Sequence, residues 1–470
     1  MKLIATLAFA LGIAGLFLLE RIRKAPTSKA LLLPLAWMLL SSSRNVSAWF
    51  SIGVVSDAGA NYLEGNPIDR NVYALLLVAG IGILLQRRRK VAALLRINPC
   101  LFLFFGYCLV SLAWSDFPLV GFKRWIQAIG DVVMILIVLS EGDWLLAWRR
   151  LYAWAAFLLL PISLLFILYF PDLGLAAGIY DLEPSWTGVT TTKNELGMIC
   201  MVFGIASLAS LLSACQEFTG TARIRQIIAH SLVLAMSIGM LYKANSATSL
   251  ACLLIGSTLL LATSWPPFMR RPVLVHWLAA SLIGLSVSSL FLGMGTGLVN
   301  GLGRKSDLTG RTEMWAYALH EATNPVLGAG YESFWLGDRL ERILKVAPGV
   351  NQAHNGYLEI YLNLGWAGIL VLTVLLVVGY RSIIAAFRRN PAQARLGFAY
   401  FVVALSYNFT EGAFKFRHPV WISLLLAIMT APLVSARREA DPAAPAPPTH
   451  SFLRGWWVRR DSATPARISQ

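Results

Sequence analysis

Long, unalternating apolar blocks rich in Leu, Ala and Gly divide the chain, and short polar segments separate them. With roughly 17 to 25 residues needed for one crossing of a bilayer, candidate spans lie near 3–19, 29–43, 71–86, 99–114, 125–140, 147–170, 195–214, 225–242, 248–264, 273–294, 365–387, 395–410 and 418–436. In lipid every backbone polar group must be bonded within the chain, and these blocks lack the two-residue alternation of a membrane barrel, so the pattern predicts helices. The expected fold class is all-α: a polytopic membrane protein of about 12–13 transmembrane helices.

Basic runs fall in alternate connections: "ERIRK" at 20–24, "QRRRK" at 86–90, "WRR" at 148–150, "TARIR" at 221–225, "FMRR" at 268–271, "FRRN" at 387–390 and "ARRE" at 436–439. The positive-inside rule makes those connections cytoplasmic. The connections 44–70, 115–124, 171–194, 243–247, 296–364 and 411–417 then face outward, with the N-terminus outside and the C-terminus inside. The first block lacks a small-residue cleavage site and reads as a retained helix; as a signal anchor it would move only the N-terminus. The expected organisation is N-terminal transmembrane helices over 1–295, a large periplasmic or extracytoplasmic catalytic loop over 296–364, C-terminal transmembrane helices over 365–436 and a Pro/Ala-rich disordered cytoplasmic tail over 437–470.

The 296–364 connection is anomalous, because loops beyond about 15 residues are usually functional or disordered, and this one carries Trp315, Tyr317, Tyr331, Phe334, Trp335, Tyr357 and Tyr361 among mixed charges. It is expected to fold as a small helical cap. "LTGRTEMWAYALHEATNP" predicts an amphipathic helix starting near Gly310 and ending before Asn324-Pro325, "VLGAGYESFW" a Gly-hinged turn, and "HNGYLEIYLNLG" a second short helix entering the next span.

Composition sharpens the class. Hydrophobic residues make up 57% and charged residues 14%, with a mean hydropathy of +0.63, which is far from a soluble domain. A net charge of +16 would point to nucleic acid in a soluble chain, but here the cations mark topology, so no nucleic-acid partner is expected. Cys100, Cys108, Cys200, Cys215 and Cys252 show no CxxC pair or metal spacing and read as packing residues.

Three outward cations run against the positive-inside trend: Arg124 in "GFKRWIQ", Lys193 in "TTTKNELG" beside Asn194, and Lys243 in "MLYKANSA". Each alone is more often a snorkelling anchor than a ligand group. Together with Arg311 they form a candidate cationic cradle for a diphosphate. Arg311 and Trp315, four apart, share one helix face, which suits a sugar or phosphate but also an interfacial pair on lipid headgroups. Of six histidines, His354 alone combines an outward loop, a neighbouring amide in Asn355 and a helix N-terminus. Such a terminus disfavours the imidazolium and favours a neutral base, although simple helix capping fits the position as well. Asp57, Glu64 and Asp69 form no close acidic pair, so a metal-dependent transfer site is poorly supported. Walker-type loops, HExxH and GxSxG arrangements are missing.

The stretches "LTGRTEMWAYALHEATNPVLGAGYESFW" and "AHNGYLEIYLNLGWAG", with "EGNPIDRNVY" upstream and "YNFTEGAF" downstream, resemble the O-antigen ligase and polymerase superfamily, most closely its exopolysaccharide polymerases of the succinoglycan type. The specific motifs occupy mainly 64–73 and 308–412. The resemblance implies a helical fold of the GT-C type and a metal-independent, inverting transfer from an undecaprenyl-diphosphate-linked glycan donor to a glycan acceptor, with no cofactor. It implies that His354 activates the acceptor hydroxyl and that Arg311 contacts the diphosphate, with Arg124, Lys193, Asn194, Lys243, Trp315, Asn355 and Tyr357 around the lipid diphosphate or sugar. Lysine at 193 and 243 departs from the arginine common in the family, and the stretches around Arg124 and Lys193 match loosely. The implied setting is a bacterial inner membrane with the site on its periplasmic side, and a chain-length regulator and flippase of the same pathway as further partners. Ligation to a lipid A core is the close alternative. A transporter of lipid-linked sugars ranks lower, because the span midplanes carry almost no charge.

Overall fold

A computed structural model describes residues 1–20, 27–50, 66–176, 184–291, 309–346 and 350–440. Helices dominate, as the apolar blocks require, and each of the thirteen blocks falls on one wherever it is described. Leu175–Ala176 and Ser185–Trp186 pair as one short antiparallel ladder. Six described helices are long and apolar enough to cross a membrane: Lys2–Glu20, Pro67–Gln86, Trp144–Tyr169, Lys193–Glu217, Gly220–Ala244 and Gly356–Arg389. Arg88–Arg96 and Pro99–Trp114, bent by 87°, make a seventh if they count as one broken span. Lys29–Ser41, Ala247–Ala262, Val273–Ser288 and Pro419–Ser435 are apolar but shorter. This is the architecture of an all-α, multi-pass membrane protein.

Local chemistry sets where the helices start. Asn66 accepts from the Ile68 N–H ahead of Pro67, Asp143 accepts from Leu146 N–H, and Asn390 accepts from Gln393 N–H ahead of Pro391, each filling a donor the first turn leaves unbonded. At Lys193–Glu217 the exchange is reciprocal: Thr192 Oγ1 accepts from Glu195 N–H, and Glu195 Oε2 accepts from Thr191 N–H at 3.0 Å. Arg44 pins the connection leading to that helix, donating to Leu173 O at 2.6 Å and to Thr190 O at 3.1 Å.

Lys193–Glu217 packs on Gly220–Ala244, while Pro391–Tyr407 packs on Pro419–Ala440 and Ala247–Ala262. Trp148, Tyr152, Phe203 and Tyr400 meet at the centre of the bundle. Their hydroxyls are bonded, Tyr152 with Ser423 Oγ at 2.8 Å and Tyr400 to Val202 O at 2.8 Å, as burial in a low-dielectric interior demands. The outer faces stay apolar: Leu75, Val78 and Leu85 on Pro67–Gln86 are exposed, which fits a surface solvated by lipid. All five cysteines are free thiols.

Ala318, Ala329, Phe334, Trp335, Ile343, Ala353 and Leu362 form a separate apolar cluster beside the main core, with Trp315, Leu340 and Tyr361 packed against it. The expected first cap helix is Thr309–His320. The Gly-hinged turn carries positive φ at Gly328, Gly330 and Glu332; the helix after it, Gly337–Val346, is strongly amphipathic, whereas Thr309–His320 lacks the expected amphipathic face. Within the cap Arg342 bonds Glu321 at 2.7 Å and holds its carboxyl below the usual carboxylate range. The last described helix, Pro419–Ala440, runs past the boundary expected at 436, and residues 441–470 of the expected tail lie outside the described residues.

The expected short helix before the span is continuous with it as Gly356–Arg389, broken at Gly365, where φ is 65° and ψ −166°. The N–H groups freed by the break are taken by the preceding turn, Trp366 to Pro325 O at 2.9 Å and Ala367 to Val326 O at 3.0 Å. A Cβ at Gly365 would lie 2.2 Å from Val326 O. Gly365→Ala is therefore expected to cost more than the roughly 1–2 kcal/mol of a strained backbone residue alone, checked as a lowered Tm of the detergent-solubilised protein against the unsubstituted protein.

Candidate functional site

His354 stands two residues before the Gly356–Arg389 helix in a left-handed conformation, φ 49°, where an L-residue persists only if its surroundings hold it. On one side Trp315 of the cap helix donates Nε1–H to Ala353 O at 2.7 Å. Glu359, one turn into the following helix, accepts from Ala353 N–H and from Trp335 Nε1–H at 2.8 Å. On the other side Asn355 caps the helix, its Oδ1 accepting from Tyr357 and Leu358 N–H at 3.0 and 3.1 Å.

The segment 407–414 closes over this turn. Gly356 N–H donates to Asn408 O at 2.8 Å and Glu411 O at 3.2 Å, and a Cβ at Gly356 would fall 1.9 Å from Asn408 Oδ1, so only glycine fits. Asn408 Oδ1 in turn accepts from Ala413 and Phe414 N–H at 2.9 and 3.0 Å, shaping a tight loop that carries Glu411 to the histidine. His354 Nδ1 lies 3.1 Å from Glu411 Oε2. Their side chains are 32% and 12% exposed, so the imidazole keeps an open edge while the carboxylate is largely enclosed.

Two further helix ends converge here. Asn194 Nδ2 lies 3.4 Å from Glu411 Oε1, which brings in the first turn of Lys193–Glu217 and with it the half-buried Lys193. Thr248 Oγ1 bonds Thr410 Oγ1 at 2.8 Å, and a Cβ at Gly197 would meet Ser246 at 2.6 Å. The turn between Gly220–Ala244 and Ala247–Ala262 is thus packed on the same centre, with Lys243 exposed in the last turn of the former.

The sequence-derived candidates sort as follows. His354, Asn355, Tyr357, Asn194 and Trp315 meet around one turn. Asn355 serves the helix N-terminus, and Tyr357 donates its hydroxyl to Leu405 O at 3.1 Å while packing on Phe409 and Phe414. Arg124 sits at the other flank of the cap, with Nη1 donating to Glu332 O at 2.6 Å and lying 3.7 Å from its carboxylate. That turn is tied back by Ser333 and Phe334 N–H to Asn363 Oδ1. The backbone of Arg311 lies in Thr309–His320, one turn before Trp315, but its side chain lies outside the described residues. Asp57 and Glu64 are also outside them, while Asp69 is buried and accepts from Ser47 N–H and Oγ–H at 2.9 and 2.5 Å.

Glu411 is the residue that reasoning from the sequence did not single out, although "YNFTEGAF" was among the resembling stretches. Arg417 is another: at φ 55°, its N–H donates to Asp131 Oδ2 at 2.9 Å and its guanidinium lies 4.2 Å over the Tyr73 ring.

The helices and the crowded turn define a multi-pass membrane protein with a polar centre where helix ends and cap meet. Residues 232–373, which include Lys243, Arg311, Trp315 and His354, match the family model described as O-Antigen ligase. The chain is also similar to the exopolysaccharide production protein ExoQ of Rhizobium meliloti (strain 1021), 25% identical over 296 residues, 60% of this chain and 64% of that protein. The match thus covers less than two thirds of the relative's length. Each match covers part of the chain and marks a likeness to these proteins.

Proposed function

We propose that the protein is a membrane glycosyltransferase that polymerises undecaprenyl-diphosphate-linked repeat units into exopolysaccharide or O-antigen on the outer face of the bacterial inner membrane. The observation that carries the mechanism is the His354–Glu411 contact. In this reading Glu411 takes the Nδ1–H of the neutral imidazole and Nε2 is the atom that receives a proton, the arrangement of a base held in one tautomer by a carboxylate 3.1 Å away. Nε2 takes the proton of an acceptor sugar hydroxyl as its oxygen bonds to the donor's anomeric carbon. The bond from that carbon to the diphosphate oxygen breaks, and undecaprenyl diphosphate leaves with inversion at the carbon. Arg311, Lys193 and Lys243, with Arg124 behind the cap, supply positive charge where the leaving diphosphate becomes more negative.

Because cationic side chains carry that charge, the reaction is expected to proceed at unchanged rate in EDTA. Extension of purified lipid-linked repeats in membranes checks this, and restoration of an EDTA-abolished reaction by a divalent ion would refute it. The O-Antigen ligase description of the matched segment supports a second reading, transfer of the finished glycan to a lipid A core or another acceptor. The same residues serve both, since only the acceptor differs. A deletion strain separates them: a polymerase leaves single repeats and no long polymer, whereas a ligase leaves lipid-linked polymer that never reaches its final acceptor.

A further inference from the structure

The Gly356–Arg389 helix carries a side chain that its own start does not require. Asn355 already accepts from the Tyr357 and Leu358 N–H groups, which is the bonding a cap supplies. Helical side chains lean toward the N-terminus of their helix, and from the first turn Glu359 reaches back past the cap. Its Oε1 accepts from Ala353 N–H and its Oε2 from Trp335 Nε1–H at 2.8 Å. Neither donor belongs to the helix. A partly buried carboxylate keeps its charge at low cost only while such donors face it, so this one group joins the turn to the cap.

Ala353 immediately precedes His354, whose φ of 49° has to be held from outside. The carbonyl of Ala353 accepts from Trp315 Nε1–H at 2.7 Å. Both polar groups of Ala353 are therefore fixed from the cap, one by an indole directly and the other by an indole through Glu359. On its far side Glu359 stands against the loop that carries Glu411: a Cβ at Gly412 would lie 3.4 Å from Glu359 Cγ. Lys415 of the same loop donates to Gln352 Oε1 at 3.1 Å. Glu359 thus meets the residue before the histidine, the residue after its carboxylate partner, and Trp335 of the cap.

We propose that Glu359 is a positioning residue for the transfer, and that its bond to Trp335 makes the placement of His354 opposite Glu411 depend on a seated cap. The inference rests on the reading of His354 as the base. A displacement of about 1 Å at a reacting group is worth about 10²-fold in rate, and the backbone that Glu359 holds is one residue from the imidazole. A glutamine at 359 has a single accepting oxygen, so either Ala353 N–H or Trp335 Nε1–H would face an amide donor.

The test measures kcat and KM of the full-length protein in vesicles supplied with purified lipid-linked repeat units. Glu359→Gln is expected to lower kcat by about 10- to 10²-fold with KM unchanged. Trp335→Phe, which keeps the ring and removes the donor, is expected to lower kcat in the same direction, and the double variant to fall no further than the worse of the two, since both break one chain of contacts. The decisive comparison adds Glu359→Gln to His354→Ala. A positioning residue has nothing left to position there, so the residual rate of His354→Ala is expected to stay as it is. A further drop by the factor seen with His354 present overturns the inference, because the carboxylate then serves the fold at large. Where Glu359→Gln fails to fold, Trp335→Phe carries the same comparison. A full-rate Trp335→Phe beside a slowed Glu359→Gln overturns the link to the cap. Full activity in His354→Ala removes the base reading itself, whereas a slowed His354→Ala beside a full-rate Glu359→Gln overturns this inference alone.

Discussion

His354→Ala is expected to slow extension of lipid-linked repeat units by about 10²- to 10⁴-fold, the loss that follows removal of a general base, in membranes where the variant is present at the normal level. The substitution leaves the turn in place. Its backbone is fixed by Trp315 and Glu359 on Ala353, by the Asn355 cap and by the Gly356 N–H on Asn408 and Glu411, none of which uses the imidazole. The loss should fall on kcat, and added imidazole should restore part of the rate, which a purely structural histidine would not permit. Full extension activity in His354→Ala would sink the base assignment and leave the likeness to the O-Antigen ligase model untouched.

Glu411→Gln is expected to cost nearly as much, about 10²- to 10⁴-fold between the loss of a base and the imposition of the wrong imidazole tautomer. The carboxylate accepts on both oxygens, facing His354 Nδ1 at 3.1 Å and Asn194 Nδ2 at 3.4 Å. A glutamine has one accepting oxygen and one donating nitrogen. If the nitrogen faces His354, Nδ1 must accept, the ring proton moves to Nε2 and the base is blocked; if it faces Asn194, two amide donors meet. Glu411→Asp keeps the charge but shortens the reach and should fall between. Kinetics with purified donor check this: kcat drops while KM holds, and a Glu411→Gln variant with wild-type kcat would reduce the contact to a structural tie.

The helical architecture was legible because lipid leaves the chain few options: a run of apolar residues too long for a soluble element has to be a helix, although Pro67, Pro118 and Pro391 start their helices several residues ahead of the apolar blocks read at 71, 125 and 395. What the pattern did not give is length. Lys29–Ser41 and Ala247–Ala262 are as apolar as the longer spans but stop short of a full crossing, since where they end is set by packing and turn chemistry. The cap was legible through its aromatics, and its first helix falls where the Gly310 and Asn324-Pro325 signals put it, whereas Gly337–Val346 went unread. At the candidate site, His354 stood out by position, but its partner lies 57 residues away, in a loop after another helix. Nothing local to either residue encodes that pairing; it is made by Gly356 and Asn408, whose close fit is a property of three-dimensional packing. Arg124, read as an outward cation, turned out to be engaged with Glu332, because a charge pattern along the chain does not reveal which loop folds back over it.

The fit of Gly356 under Asn408 also carries a consequence for biogenesis. A ribosome delivers His354 to the membrane before it has made either Pro391–Tyr407 or the loop bearing Glu411. The nascent protein therefore holds a histidine without its carboxylate, and the two are joined only when Pro391–Tyr407 has entered the bilayer and its following loop has docked. A chain stalled or truncated before residue 411 would be inserted yet unable to complete the pair, so competence waits on the loop that bears Glu411.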